Sequence, residues 1–196
     1  MKITDAEKKA LKGRGYIMTR DGEHFIARLI TVDGVLTSEQ FTVAAEAAEK
    51  FGNGQLAMTS RLTIEVQGLT YDTIEPFNEY ISKAGLYTGG TGSRVRPIVA
   101  CKGTVCIHGL IDTQGLAREL HEKFYKGWYD IKLPHKFKIG VGGCPNNCIK
   151  PSLNDFGIMG QKVPAYDPDD CNGCPKCSVV DVCPVKAAQL DEDGIM

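Results

Sequence analysis

Eight cysteines in two sets of four constrain this chain more than any other feature of its sequence. The first set consists of two pairs: Cys101 and Cys106, then Cys144 and Cys148. The second set is crowded into a short stretch near residue 180: Cys171, Cys174, Cys177 and Cys183. This crowding, followed by Pro184, is typical of a cubane iron–sulfur cluster, because each iron atom needs its own sulfur ligand. The spacing therefore predicts iron–sulfur redox chemistry.

Two other uses of the cysteines remain open. A zinc-stabilised interaction module is one, although a tetrahedral zinc ion usually takes paired ligands from two separated knuckles, and neither upstream pair has that spacing. A framework of four disulfides is the other, and it is typical of small secreted domains. Metal analysis separates these possibilities from an iron–sulfur protein.

The composition indicates an ordinary globular protein. The 196 residues suffice for one large or two small domains, with 42% apolar and 24% charged residues. The formal net charge of -1 gives no overall field for nucleic acid, so any anion site must be local. The charged first residues lack the apolar core of a secretory signal, and no apolar run approaches the roughly 20 residues of a membrane span. We therefore expect a cytoplasmic protein that binds no nucleic acid and has no membrane span.

The cysteine-free residues 1–88 alternate between predicted strands and helices. Residues 24–32 are a strand candidate that ends at an Asp-Gly turn. A helix follows Thr37, which has capping-box spacing to Gln40, and it stops at Gly52. Residues 61–67 alternate as a second strand, and residues 71–84 fit a second helix. This order predicts an α/β (α+β) fold that begins with a ferredoxin-like sandwich half.

Two further segments follow a glycine-rich boundary at residues 85–97. In residues 89–164 a helix is predicted over 112–125, between the two cysteine pairs. A strand then places Phe137 and Ile139 on one face, and Lys136 and Lys138 on the other. Residues 165–196 are too few for a core of their own, which predicts a small ferredoxin-type cluster segment.

A known family shares the most specific of these motifs. The sequence KFK followed by GCPNNC, after an earlier cysteine pair, resembles the siroheme-dependent nitrite and sulfite reductase family. The upstream stretch TSRLTIEV resembles that family's ferredoxin-like half, in which a T-x-R segment opens a strand beside the haem. The resemblance covers nearly all of residues 20–165, and the last segment is similar to bacterial ferredoxin modules.

The resemblance implies the cofactors and their ligands. The first cysteine set would hold a 4Fe–4S cluster, and Cys148 would also bridge to the iron of a siroheme. The second set would hold a second 4Fe–4S cluster. Residues expected to contact the siroheme are Thr59, Arg61, Asn146 and Asn147. For the two asparagines, turn formation is an equally good interpretation.

The resemblance also implies an anion pocket made of Arg61, Arg96, Lys136 and Lys138. Sulfite and nitrite are anions, and their reduction consumes protons. Arginine offers a planar fork of donors to an oxyanion, while lysine is a compact charge that can pass on protons. Arg94 competes with Arg96 for this role, and only the position relative to Cys101 favours Arg96.

Three departures from the family pattern bear on the assembly. Four residues separate Cys101 from Cys106, where the family commonly has five. Five residues separate Cys177 from Cys183, where bacterial ferredoxins have three. Either these four cysteines wrap one cluster in an altered loop, or the chain is a piece that lacks a partner half.

Family enzymes also contain two copies of the unit formed by the ferredoxin-like half and the cluster domain. We therefore expect a homodimer or a heterodimer, in which the basic pocket of one chain faces Cys148 of its mate.

The sequence thus predicts multi-electron reduction of sulfite, or of nitrite, at a siroheme coupled to a 4Fe–4S cluster. Electrons from a donor protein would enter through the ferredoxin-type segment. The alternative function is that of a haem-free iron–sulfur electron-transfer or partner subunit.

Overall fold

The computed structural model describes residues 3–196 and confirms the predicted mixed α/β fold. The described chain divides into two compact units between Gln161 and Lys162. The first unit contains two separate hydrophobic cores, one built from residues between Leu11 and Leu86 and one from residues between Val95 and Val141. The predicted segment boundaries near residues 88 and 164 stay predictions.

A four-stranded antiparallel sheet with helices forms the first half of this unit. Its elements are α1 (Asp5–Gly13), β1 (Tyr16–Met18), β2 (Phe25–Leu29), α2 (Ser38–Phe51), β3 (Leu56–Met58), β4 (Ile64–Leu69) and α3 (Ile74–Ser82). The strand order is β1-β2-β4-β3. The sequence predicted β2, α2, β4 and α3, whereas α1 and the two three-residue strands were missed.

Local chemistry explains why α2 begins where it does. The Thr37 hydroxyl accepts a hydrogen bond from the Gln40 N–H at 3.1 Å, and the Gln40 side-chain oxygen accepts one from the Thr37 N–H at 3.1 Å. This capping box satisfies two N–H groups that the first helical turn leaves unpaired, and such a cap contributes about 1 kcal/mol. The fully buried Ala44 and Ala47 then lie in the core. The predicted capping box is confirmed.

One predicted strand begins in the wrong place. Residues 61–67 were expected to be extended, but β4 starts at Ile64, and Arg61 lies in the hairpin loop before it. Leu62 has a φ of 60°, in the left-handed region, so it cannot belong to a regular strand. The loop, rather than a strand face, therefore orients Arg61.

A three-stranded parallel sheet organises the second half of the unit. Its elements are β5 (Val99–Ala100), α4 (Thr113–Leu120), β6 (Ile139–Gly142) and β7 (Phe156–Met159), and the sheet order is β5-β6-β7. The predicted helix over 112–125 divides into α4 and a π-helical turn, His121–Lys126. The predicted strand over residues 136–141 begins too early: β6 starts at Ile139, and Lys136 and Lys138 lie in the segment before it, where Phe137 forms an isolated bridge with Val95.

The second unit, Lys162–Met196, carries little regular structure. It contains a 3-10 turn, Pro168–Asp170, and helix α5 (Ser178–Val182). Among residues 3–196, no helix is long and apolar enough to cross a membrane.

Candidate functional site

A cavity of about 230 Å³ in the first unit brings together the basic residues predicted from the sequence. We call it the basic pocket, and its lining residues are Arg28, Thr59, Ser60, Arg61, Thr63, Gly90, Arg96, Pro97, Lys136 and Lys138. Five of these ten are cationic, and the described lining contains no carboxylate. The pocket therefore concentrates positive charge in a protein whose formal net charge is only -1.

A three-residue hairpin loop presents Arg61 to the basic pocket. The Thr59 N–H donates to the Thr63 carbonyl at 2.9 Å, and the Leu62 N–H donates to the Thr59 carbonyl at 3.0 Å. A turn closed by a left-handed residue is the common three-residue connection between antiparallel strands. The backbone thus fixes Arg61 between two paired strands.

The Arg61 guanidinium is held by three acceptors. It donates to the Asn154 side-chain oxygen at 2.8 Å, and to the carbonyls of Pro97 at 2.6 Å and Ile139 at 3.4 Å. Its Nε is buried without a hydrogen-bond partner in the described structure. Burial, followed by the charge of Arg96, lowers the pKa of Arg61 to about 10. The side chain is still cationic at neutral pH, and an anion in the pocket would relieve this repulsion.

Arg96 and Arg28 meet at one backbone carbonyl. Both guanidinium groups donate to the Gly90 carbonyl, and the Arg28 Nη1 lies 3.1 Å from its oxygen. Arg28 also forms an ion pair with Glu65: its Nε and Nη2 donate to Glu65 Oε1 at 3.0 Å and 2.6 Å. Burial, and then the charge of Arg28, lowers the pKa of Arg96. The Arg96 Nε is a second buried donor without a partner among the described residues.

Sequence reasoning missed Arg28 and its partner Glu65. They lie opposite each other on β2 and β4, where Arg28 is in register with Glu65. Both strands were predicted, and in each strand the charged residue alternates with buried apolar residues and so lies on the polar face. Aligning the two strands as neighbours would have paired these two residues.

The two lysines reach the basic pocket as the strand pattern predicts. Lys136 and Lys138 line it, whereas Phe137 and Ile139 line a separate apolar cavity of about 280 Å³. Arg94, the competitor of Arg96, is not among the residues that line the pocket, and its guanidinium lies 4.6 Å from the centre of the Tyr129 ring. The geometry thus favours Arg96, although the catalytic roles stay predictions.

The first cysteines of the two upstream pairs follow neighbouring parallel strands. Cys101 comes directly after β5, and its N–H donates to the Val141 carbonyl of β6 at 3.0 Å. The Gly143 N–H, next to Cys144, donates to the Cys101 sulfur at 3.2 Å. A Cβ at Gly143 would lie 2.9 Å from the Gly103 Cα and 3.4 Å from that sulfur. A side chain is thus excluded where backbone approaches the thiol, which fits a bound inorganic cluster.

The GCPNNC loop carries the remaining predicted residues. Cys148 is exposed, and Cys106 and Cys144 are partly buried. The Asn147 N–H donates to the Cys144 carbonyl at 3.2 Å, and Asn147 has a left-handed φ of 56°. Asn147 therefore forms a turn, and haem contacts by Asn146 and Asn147 stay a prediction.

No three His, Cys, Asp or Glu side chains within residues 3–196 converge on a single-ion site. A cubane does not require such convergence, because its thiolates bind different iron atoms.

In the second unit, backbone N–H groups surround two of the cysteine sulfurs. Hydrogen bonds from Ala188 and Ala187 lower the pKa of Cys183, and the Ala187 N–H lies 3.2 Å from the sulfur. Hydrogen bonds from Met196 and Gly173 lower the pKa of Cys171. Such donors favour the thiolate, which is the ligand form of cysteine. The cluster at Cys171, Cys174, Cys177 and Cys183 stays a prediction.

Comparisons with known proteins agree with this architecture. Residues 17–84 match the nitrite/sulfite reductase ferredoxin-like half domain, and residues 91–170 match the nitrite and sulphite reductase 4Fe-4S domain. The chain is 34% identical over 171 residues to coenzyme F420-dependent sulfite reductase of Methanocaldococcus jannaschii, covering 87% of this chain and 26% of that protein. It is 35% identical over 164 residues to a subunit of the anaerobic sulfite reductase of Salmonella typhimurium, covering 74% of this chain and 45% of that one.

A solved structure shares the fold. The crystal structure of dissimilatory sulfite reductase I aligns with a TM-score of 0.63 at 18% identity, covering 88% of this chain and 46% of that chain. The chain therefore spans about half or less of the length of each of these three proteins.

Proposed function

Since this chain belongs to the nitrite and sulfite reductase family, we propose that it carries out the multi-electron reduction of sulfite, with nitrite as the alternative substrate. The observation that supports this most is the basic pocket, which has five cationic side chains and no carboxylate in its described lining. Its volume of about 230 Å³ is large enough to admit a small oxyanion.

In the basic pocket, the arginines bind the anion and the lysines supply protons. The planar guanidinium groups of Arg61 and Arg96 orient the anion oxygens, and their buried Nε donors supply unused hydrogen-bonding capacity. Lys136 and Lys138 hold compact charges beside them and can release protons to the departing oxygens. Because backbone carbonyls hold Arg61 and Arg96 before the anion arrives, little reorganisation of these two donors accompanies the reaction.

The cofactors implied by the family have residues that fit them. Cys101, Cys106, Cys144 and Cys148 would hold a 4Fe–4S cluster, with Cys148 shared with a siroheme iron. Thr59, Arg61, Asn146 and Asn147 would contact the siroheme. When bound, these groups supply the electrons one at a time. The Gly143 N–H, 3.2 Å from the Cys101 sulfur, would stabilise the thiolate ligand.

The remaining parts of the proposal concern electron entry and assembly. Cys171, Cys174, Cys177 and Cys183 would bind a second 4Fe–4S cluster that receives electrons from a donor protein in the cytoplasm. No cysteine is among the described residues that line the basic pocket. We infer that the complete site needs a second chain, in a homodimer or a heterodimer, whose Cys148 faces this pocket. The Salmonella relative, which is one subunit of its reductase, supports an assembly of this kind.

Sulfite binding to the intact protein tests the basic pocket independently of turnover. We expect inorganic sulfite to bind in calorimetric titrations, with an affinity that falls as sodium chloride is raised, because salt screens the charges at the pocket opening. Lys138→Gln is expected to weaken the affinity by about 3- to 10-fold, since it removes one charged donor.

Lys132→Gln is the matched control, because Lys132 is exposed and does not line the basic pocket. Its sulfite affinity should equal that of the unmodified protein. A protein that binds no sulfite, or equal losses in the two lysine variants, would contradict the proposed anion site.

A further inference from the structure

The Gly90 carbonyl is the point where two cations of the basic pocket are held together. Arg28 and Arg96 both donate to it, although their charges repel each other. The carbonyl dipole offsets part of that repulsion and helps to position both guanidinium groups, of which Arg28 is also held by Glu65. Any group that fixes the backbone of Gly90 therefore affects the geometry of the pocket.

The Gly90 backbone depends on outside contacts for its position. Its φ is 68°, a left-handed conformation that glycine adopts without steric cost. Because glycine has no side chain, it makes no side-chain contacts that could hold this conformation. The Gly90 N–H donates to the Tyr125 hydroxyl at 3.0 Å in a buried hydrogen bond. This bond fixes the peptide that precedes the Gly90 carbonyl.

Packing around Tyr125 holds its hydroxyl in place. The side chain belongs to the π-helical turn and is 3% exposed. Its ring lies 4.7 Å from the His121 ring at 31°, and the Tyr129 ring packs edge-on at 6.4 Å. A Cβ at Gly89 would lie 2.5 Å from the Tyr125 hydroxyl, so only glycine leaves room for it. Burial raises the pKa of Tyr125, and the hydroxyl is therefore neutral in the working pH range.

We propose that Tyr125 is a positioning residue for the anion pocket, whose hydroxyl fixes Gly90 and thereby the guanidinium groups of Arg28 and Arg96. This inference rests on the proposed function, because it assumes that the basic pocket binds the substrate anion. Tyr125 does not line the basic pocket, and in the described structure its hydroxyl makes no hydrogen bond to Arg28 or Arg96. It acts through one buried hydrogen bond to one glycine N–H.

Tyr125→Phe tests this role, because it removes the hydroxyl and keeps the ring packing. The affinity of the intact protein for inorganic sulfite, measured by calorimetry, is expected to fall about 5- to 10-fold, as for the loss of one buried hydrogen bond. The slope of log affinity against log salt concentration should not change, since no charge is lost. Arg96→Gln, in contrast, should reduce both the affinity and that slope.

Two further variants separate positioning from general destabilisation. Tyr87→Phe removes a hydroxyl that lies 2.8 Å from the His121 ring nitrogen in the same cluster, but makes no bond to Gly90. Its sulfite affinity should be unchanged even if its melting temperature falls. Gly89→Ala would place a Cβ 2.5 Å from the Tyr125 hydroxyl, and it should weaken sulfite binding as Tyr125→Phe does.

The outcomes distinguish this inference from the proposed function. If the unmodified protein binds sulfite and Tyr125→Phe binds it equally well, Tyr125 has no positioning role while the anion pocket stands. Equal losses in Tyr87→Phe and Tyr125→Phe would also overturn the positioning role. If the unmodified protein binds no sulfite, both the anion pocket and the role of Tyr125 are wrong.

Discussion

Replacing Arg61 by glutamine is expected to lower the rate of sulfite reduction by the cofactor-loaded protein by about 10²- to 10³-fold, the usual loss when one preorganised donor is removed. The Arg61 guanidinium is held by the Asn154 side-chain oxygen at 2.8 Å and the Pro97 carbonyl at 2.6 Å, so it is in place before the anion binds. Glutamine can still bond to one of these partners, which limits damage to the fold. Steady-state rates with a reduced electron donor would measure the effect.

Arg94→Gln is the matched control for this change. Arg94 lies close to Arg96 in the chain, but it stacks on Tyr129 and does not line the basic pocket. We expect its rate to stay within about 2-fold of the unmodified protein, because its guanidinium lies on the Tyr129 ring and not in the basic pocket. Equal losses in the two arginine variants would mean that overall charge, rather than the pocket, governs the rate.

The second large effect is expected at Cys148. In the proposed scheme its thiolate serves the upstream cluster and the siroheme together, so Cys148→Ser should remove siroheme and lower sulfite reduction by at least about 10³-fold. About four iron atoms per chain should be lost with the upstream cluster, while those of the second set remain. Siroheme absorbance and iron content of anaerobically purified protein would measure both.

Cys174→Ser is the counterpart in the second cysteine set. It should also cost about four iron atoms, but siroheme should remain, because the second set is proposed to serve electron entry only. If Cys148→Ser kept its siroheme, or if Cys174→Ser lost it, the assignment of the two cysteine sets would be wrong.

The contrast between Lys138 and Arg61 shows how far the sequence could predict the site. Alternation along an extended segment assigned Lys136 and Lys138 to one face, and both line the basic pocket. The same reasoning failed at Arg61, because Leu62 looks like an apolar strand residue but takes a left-handed turn conformation. A left-handed leucine is uncommon, and the three-residue turn between the paired strands β3 and β4 imposes it.

Long-range pairing explains most of what was missed. Arg28 reaches the basic pocket because β2 pairs with β4, and Gly90 joins it through hydrogen bonds from residues far along the chain. Helix α2 was predicted well, because its capping box lies within four consecutive residues. Strands β1 and β3 have three residues each, which is too short for a hydrophobic alternation to stand out.

Quantitation of iron, acid-labile sulfide and siroheme in intact protein, purified without oxygen, tests the central claim most directly. The account predicts siroheme together with about eight cluster irons per chain, from one cubane in each cysteine set. Brown protein that takes up no siroheme even after reconstitution would contradict the catalytic proposal and favour a haem-free electron-transfer subunit. Colourless protein that contains zinc would contradict the iron–sulfur assignment as well.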